Sequence, residues 1–215
     1  MEIIMSKNIK ILYIFLSITV FIALPFLFFV LGDTPSRSIL KNTLSIITIL
    51  SFFILFGQFL LSKTNTTIKE IFNYAKVVKV HKLIGYIVLP ILIIHPALVV
   101  LPRFFEVGVS PFESFIKMIT TFDNLGVILG LIAWGLMLSL GFTSMFRNRL
   151  NISYKAWKVF HGVLSLIFII FASWHVIETG RHIDLAMSVL IILLTLISTI
   201  LIIKTYIFKN VRGAK

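Results

Sequence analysis

The chain has 215 residues, is 59% hydrophobic and only 13% charged, and has a mean hydropathy of +1.06. Soluble domains carry about 25% charged residues, so this composition excludes an ordinary water-soluble globule and predicts one integral membrane domain over residues 1–215. There is no cysteine, which excludes disulfides, iron–sulfur clusters and covalently attached c-type haem.

Six apolar stretches approach or exceed the roughly 20 residues that a bilayer crossing needs: 11–31, 40–61, 83–102, 126–145, 159–177 and 185–207. The predicted fold is all-α, an integral membrane six-helix bundle. The first stretch follows a basic start, is too long for a signal-peptide core and lacks a small-residue cleavage site, so it reads as a retained span. After the second stretch, Thr67-Ile-Lys-Glu70 has the form of a capping box. Ile68, Ile71, Phe72, Ala75 and Val78 then share one face, which predicts an amphipathic surface helix over 68–80 leading into the third span. The loop 103–124 repeats the device. Ser110-Pro-Phe-Glu113 sets a cap, a proline at the first helical position and a glutamate at the third, ahead of a stripe of Phe112, Phe115, Ile116, Ile119 and Phe122. Both helices suit the membrane interface. A functional reading has the first dock an electron donor and the second roof a cofactor. In the third span, Pro90 and Pro96 free the carbonyls of Tyr86 and Leu92 and predict a bend. In the fourth, Gly126 and Gly130 form G-x-x-x-G, a helix-packing signal.

The net charge of +12 follows membrane topology. With the N-terminus inside, the inner segments hold Lys7, Lys10, Lys63, Lys69, Lys76, Lys79, Lys82, Arg147, Arg149, Lys155, Lys158, Lys204, Lys209, Arg212 and Lys215, fifteen of the twenty basic residues. The outer loops hold Arg37, Lys41, Arg103, Lys117 and Arg181, and of the acids only Glu2 and Glu70 fall inside. This is the positive-inside pattern with both termini cytoplasmic, in a bacterial-type plasma membrane. It argues against a nucleic-acid partner, which would need a basic face on a folded surface.

Four of the five histidines form two pairs of equal spacing: His81 with His95, and His161 with His175. Fourteen residues fall about 40° short of four helical turns and rise about 21 Å. Each pair therefore shows one helix face, with one imidazole toward each side of the membrane. Spans three and five run in the same direction, so His81 matches His161 at the inner level and His95 matches His175 at the outer. Intramembrane ionisable residues are costly and mostly functional. Two imidazole pairs at two depths are the arrangement that two stacked b haems need. Gly85, one turn after His81, and Ala172, one turn before His175, leave room for a porphyrin. Phe168 lies midway between His161 and His175, where it either falls between the haems or simply packs. Lys79, Lys82, Lys155 and Lys158 are positioned to pair with inner propionates or to anchor the inner boundary. Arg181 and His182, on the loop after the fifth span, either hold a propionate or an anionic acceptor or form an exposed pair with no role.

A metal transporter or a channel with structural histidines is the reading from another class. Transport sites for zinc or manganese commonly mix histidine with carboxylates, however, and no acid lies within these spans. No G-x-G-x-x-G or G-x-x-x-x-G-K occurs, so no nucleotide-binding fingerprint is present.

The segments HKLIGYIVLPILIIHP and YKAWKVFHGVLSLIFIIFASWHVIETG resemble the two ligand-bearing helices of the ferric reductase-like transmembrane domain, a superfamily that includes ferric reductases, NADPH oxidases and bacterial membrane flavocytochromes. The resemblance rests on the H-x13-H pairs, the Gly85 spacing, the His95-Pro96 step and the approach from Trp157 to His161. It implies two haem b groups held by His81, His95, His161 and His175. It also implies electron flow from a cytoplasmic flavin, FAD or FMN, to an external acceptor such as ferric iron or oxygen. Fused members carry a cytoplasmic flavin- and NAD(P)H-binding region after the sixth span, whereas this sequence stops at Lys215. The expectation is a membrane subunit served by a separate flavoprotein reductase or by reduced flavin, or else a fragment of a longer protein. The haem subunit of a methionine sulfoxide reductase system is a neighbouring alternative.

Overall fold

The computed structural model describes residues 2–34, 37–61, 68 and 71–212, with side chains described from residue 7 to residue 204 within that range. The described residues are helical throughout apart from short connections. Helices α1 (Glu2–Ile18) and α2 (Leu24–Leu31) are joined by a π turn, Thr19–Ala23. Pro25, the second residue of α2, has no N–H for the preceding turn, and the widened π turn absorbs that loss. Then follow α3 (Ile39–Leu60), α4 (Tyr74–Val100), a 3₁₀ turn (Leu101–Phe105), α5 (Pro111–Thr120), α6 (Leu125–Met145), a second 3₁₀ turn (Arg147–Arg149), α7 (Tyr154–Thr179) and α8 (Leu185–Arg212).

Six of these segments are long and apolar enough to cross a membrane. They match the six predicted stretches, but the third and fifth begin earlier than hydropathy suggests, at Tyr74 and Tyr154. The reason is capping. The Asn73 side chain accepts from Ala75 N at 2.9 Å, and Ser153 accepts from Ala156 N at 3.2 Å, so each helix starts within its basic flank. The predicted surface helix over 68–80 is thereby corrected. Ile71 closes a preceding helical turn, the chain breaks at Phe72 and Asn73, and Ala75 and Val78 belong to α4. Thr67, Lys69 and Glu70 of the predicted capping box lie outside the described residues. The second predicted surface helix is present as α5, where Ser110 accepts from Glu113 N at 3.3 Å with Pro111 at the first helical position. Phe112, Ile116 and the following Phe122 are exposed on its apolar side.

Lipid tails are as apolar as leucine, so the helices associate through close packing and interhelical hydrogen bonds. The packing order makes a closed circuit. α3 lies on α4, α4 touches α6, α6 and α7 pack most closely of all, α7 lies on α8, and α8 returns to α3. α1 and α2 stand outside this circuit, where the π turn and α2 pack on α3 and α2 also touches α8. α3 supplies the aromatic centre. Phe52 meets Phe53 and Phe56 edge-on at 5.8 and 5.2 Å, and Phe53 and Phe56 are almost wholly buried. Inside the α7–α8 contact, the hydroxyls of Ser173 and Thr195 share a hydrogen bond of 2.7 Å. α4 and α7 are not neighbours in the circuit; they face one another across it.

Burial predicts a sharp contrast between two phenylalanines. Phe53→Ala leaves a void that no lipid tail can enter, while Phe15 is already 64% exposed to the surrounding apolar phase. In soluble cores Phe→Ala costs about 3–5 kcal/mol. Here lipid replaces water in the unfolded reference, so the expected loss is smaller, about 1–3 kcal/mol for the packing part. Thermal unfolding in one detergent should show a lower Tm for Phe53→Ala and no shift for Phe15→Ala.

Candidate functional site

His81 and His161 each lie seven residues after their helix starts, at Tyr74 and Tyr154. The fold places the two side chains within electrostatic reach of each other, and does the same for His95 and His175. The four imidazoles therefore fall into two pairs on α4 and α7, one pair toward each end of the bundle. All four are half-buried. Among the described residues no group of three or more His, Cys, Asp or Glu gathers as a metal-chelating cluster.

The surroundings of each ring decide what it can do. His175 Nδ1 donates to the carbonyl of Gly126 at 2.7 Å, and Thr179 Oγ1 lies 3.3 Å from the same nitrogen. A carbonyl oxygen can only accept, so the proton sits on Nδ1 and Nε2 keeps its lone pair. This is the tautomer and second contact expected of a histidine that ligates a metal through Nε2. His161 Nδ1 lies 3.2 Å from Ser144 Oγ, and its ring stacks on Trp157 at 5.0 Å and 27°. Trp157 is fixed in turn by its indole N–H, which donates to Thr143 O at 3.2 Å, and by the Arg147 guanidinium 5.2 Å above its ring. On α4 the rings are less constrained. Nδ1 of His81 and Nδ1 of His95 are buried without a hydrogen-bond partner.

Glycines shape the cradle. A Cβ at Gly130 would lie 2.6 Å from the His175 ring, and one at Gly126 would collide with Thr179. The G-x-x-x-G of α6 thus serves packing, as the sequence suggested, and also seats an imidazole. Gly85 has a different surrounding. A Cβ there would meet Gln58 Nε2 at 3.8 Å, and Gln58 donates from Nε2 to the His81 carbonyl at 3.0 Å. A methyl at 85 would therefore make only an ordinary van der Waals contact with Gln58. Ala172 is buried, and Phe168 belongs to the packed core at 5% exposure. Lys82 is exposed beside His81, and Lys158 is half-buried. Pro90 and Pro96 both sit inside an unbroken α4, and Trp134 Nε1 donates to Ile93 O at 2.8 Å, one turn before Pro96.

His182 needs a correction. It is not part of an exposed loop pair: it is 5% exposed and packs on Phe29 with ring centroids 4.3 Å apart. Arg37 Nη1 approaches its Nε2 at 3.4 Å, and only its neighbour Arg181 is exposed. Hydropathy counts could not have placed His182 there, because the contact joins residues 145 apart. Gln58 and Ser144 were equally hidden as partners, whereas the four-residue step from Trp157 to His161, visible in the sequence, is a stacking distance on any helix.

These elements define a helical integral membrane protein with paired histidines inside its bundle. The description of the family whose profile matches residues 47–172 is ferric reductase like transmembrane component, and the chain belongs to that family. It is also 41% identical over 168 residues to an uncharacterized protein of Archaeoglobus fulgidus, an alignment that covers 78% of this chain and 91% of the relative. No solved structure matches.

Burial, and then Arg37 and Arg181, hold the His182 imidazole below its ordinary value of 6.5. A depressed histidine favours the fold while neutral, so its contribution is complete above pH 6.5 and is lost as pH falls toward the folded value. The Tm of the wild type should fall from pH 7 to pH 5 more than that of His182→Asn. Equal slopes would show that this ring does not titrate with unfolding.

Proposed function

We propose that the protein conducts electrons across its membrane on two b-type haems. His81 and His161 hold one, His95 and His175 the other. The observation that carries this reading is the His175–Gly126 hydrogen bond, which leaves Nε2 of a half-buried imidazole free and aimed by a fixed tautomer. It is supported by the matching pair at the other level, the two α4 imidazoles with unpartnered Nδ1 atoms, and the separation of α4 from α7. Family membership supports the electron-transfer role. Haem bound there would supply one-electron chemistry, with His81 and His161 holding one group and His95 and His175 the other. The protein's own part is to set the two rings of each pair at the right depth, keep water away and fix the ring planes. Ser144, Trp157, Gly126, Gly130 and Thr179 do this on the α7 side. Gln58 holds the α4 backbone at His81.

The basic flanks orient the chain with the His81 and His161 level toward the cytoplasm. There a flavoprotein reductase, or reduced FAD or FMN, acts as donor, with Lys82 and Lys158 drawing an acidic surface or a flavin phosphate. Phe168 lies between the two levels. At the other end the acceptor is ferric iron or oxygen, and Arg181 is an exposed cation on the connection that follows α7.

A reduced-minus-oxidised visible spectrum of the purified protein, with a haem assay, tests the proposal. About two low-spin b haems per chain are expected. A colourless folded protein would favour a transporter or channel, and one haem would favour the methionine sulfoxide reductase-type subunit. His81→Ala or His161→Ala should remove one haem signal, and His95→Ala or His175→Ala the other. In liposomes NADH or NADPH alone should not reduce the haems, and adding a flavin reductase on the cytoplasmic side should.

A finer prediction comes from the glycine cradle. Gly130→Ala should disturb the His95/His175 haem spectrum and spare the other, because the new methyl enters the His175 ring. Gly135→Ala, whose Cβ meets nothing within 4 Å, should leave both unchanged. Matching spectra for the two variants would place the cradle elsewhere.

A further inference from the structure

Charge is divided unevenly between the two ends of the bundle. Every acid whose side chain is described, from Asp33 to Asp184, belongs to the loops and helix ends on the His95 and His175 side. At the opposite end α6 stops at Met145, and the 3₁₀ turn Arg147–Arg149 leads toward α7.

Arg147 is held in place there by aromatic rings. Its guanidinium lies 4.5 Å from the centre of the Tyr154 ring and 5.2 Å from that of Trp157. The two rings stack at 6.0 Å and 22°, and the Trp157 indole N–H donates to Thr143 O at 3.2 Å. A cation over an aromatic face is attracted by the ring quadrupole. Stacking uses the flat face of the guanidinium and leaves its N–H edge for another partner. Among the described residues no carboxylate pairs with Arg147. Beside it, Phe142 and Met145 on the last turn of α6 are 67% and 65% exposed. Phe146 packs on Phe142 at 4.6 Å, with the Arg149 guanidinium 5.7 Å from its ring centre. On a membrane-spanning helix such apolar exposure faces lipid tails, and tryptophan and tyrosine favour the headgroup level. An ordered cation therefore stands directly beyond an apolar strip.

We propose that Arg147, set on Tyr154 and Trp157, binds the phosphate of an anionic phospholipid whose chains lie along Phe142 and Met145. The guanidinium fork matches two phosphate oxygens. Exposed Arg149 adds a second cation, and the lack of acids at this end favours a lipid of net negative charge. A soluble phosphate would use the arginine alone, so the apolar strip singles out a lipid. The site does not rest on the electron-transfer reading. It does reach the same machinery, because Trp157 also stacks on the His161 ring at 5.0 Å.

Native mass spectrometry of the purified full-length protein tests this, in detergent micelles supplemented with phosphatidylglycerol, phosphatidylcholine or inorganic phosphate. Phosphatidylglycerol should bind saturably and about tenfold more tightly than phosphatidylcholine, and Arg147→Gln should weaken it about tenfold. Lys117→Gln, on exposed α5 at the opposite end, should leave it unchanged. An Arg147→Gln protein that retains phosphatidylglycerol as well as the wild type would overturn the site. If that variant does not fold, the wild type alone decides. Equal retention of the two lipids, or displacement of phosphatidylglycerol by an equal concentration of inorganic phosphate, would overturn it as well.

Discussion

The hydrogen bond from the His175 ring to the Gly126 carbonyl depends on an absence of side chains. In an α-helix that carbonyl would normally be covered by neighbouring side chains and committed to the N–H four residues on. With glycine at 126 and 130, α7 comes close enough for an imidazole to reach it. The same approach makes α6 and α7 the most intimate pair in the bundle. It fixes the depth and tautomer of one ring, and through the rigid α7 it fixes the depth of His161, fourteen residues away. α4 then needs only to face α7 across the circuit for two matched levels to follow.

The aromatic centre on α3 has a complementary part. Apolar surface gains little by leaving lipid, so Phe52, Phe53 and Phe56 contribute through contact rather than through escape from water. They hold α3 against α4 and α8 and keep the circuit closed on the side away from α6. Gln58, two residues beyond Phe56, carries that order to the His81 backbone. Its amide N–H finds the His81 carbonyl, while its Oε1 is buried without a partner.

Much of this was legible in the sequence. Six long apolar runs give the helices, and a spacing of fourteen gives the shared face. The cap at Ser110 sits in plain polar punctuation. Helix starts were misjudged where hydropathy and capping disagree. At Tyr74 and Tyr154 an Asn or Ser cap starts the helix while lysines still interrupt the apolar run. The supposed surface helix over 68–80 failed for the same reason, since Asn73 restarts the chain within its stripe. Partners from distant segments were out of reach: Gln58 for His81, Ser144 for His161, and Phe29 with Arg37 for His182. A periodicity tells which way a residue faces on its own helix, and says nothing about what the facing helix presents. His182 shows the limit well, because a charged neighbour and a loop position both suggested exposure.

The two histidines of each level are not equivalent in freedom. On α7, a serine and a stacked indole hold one ring, and a carbonyl and a threonine hold the other. On α4, both Nδ1 atoms lack partners. Side-chain ordering costs conformational entropy, and the α7 rings have met that cost during folding. The α4 rings have no such hydrogen bonds to order them. Each level is therefore a fixed post facing a compliant one, and adjustment to the thickness or tilt of whatever lies between them falls to His81 and His95.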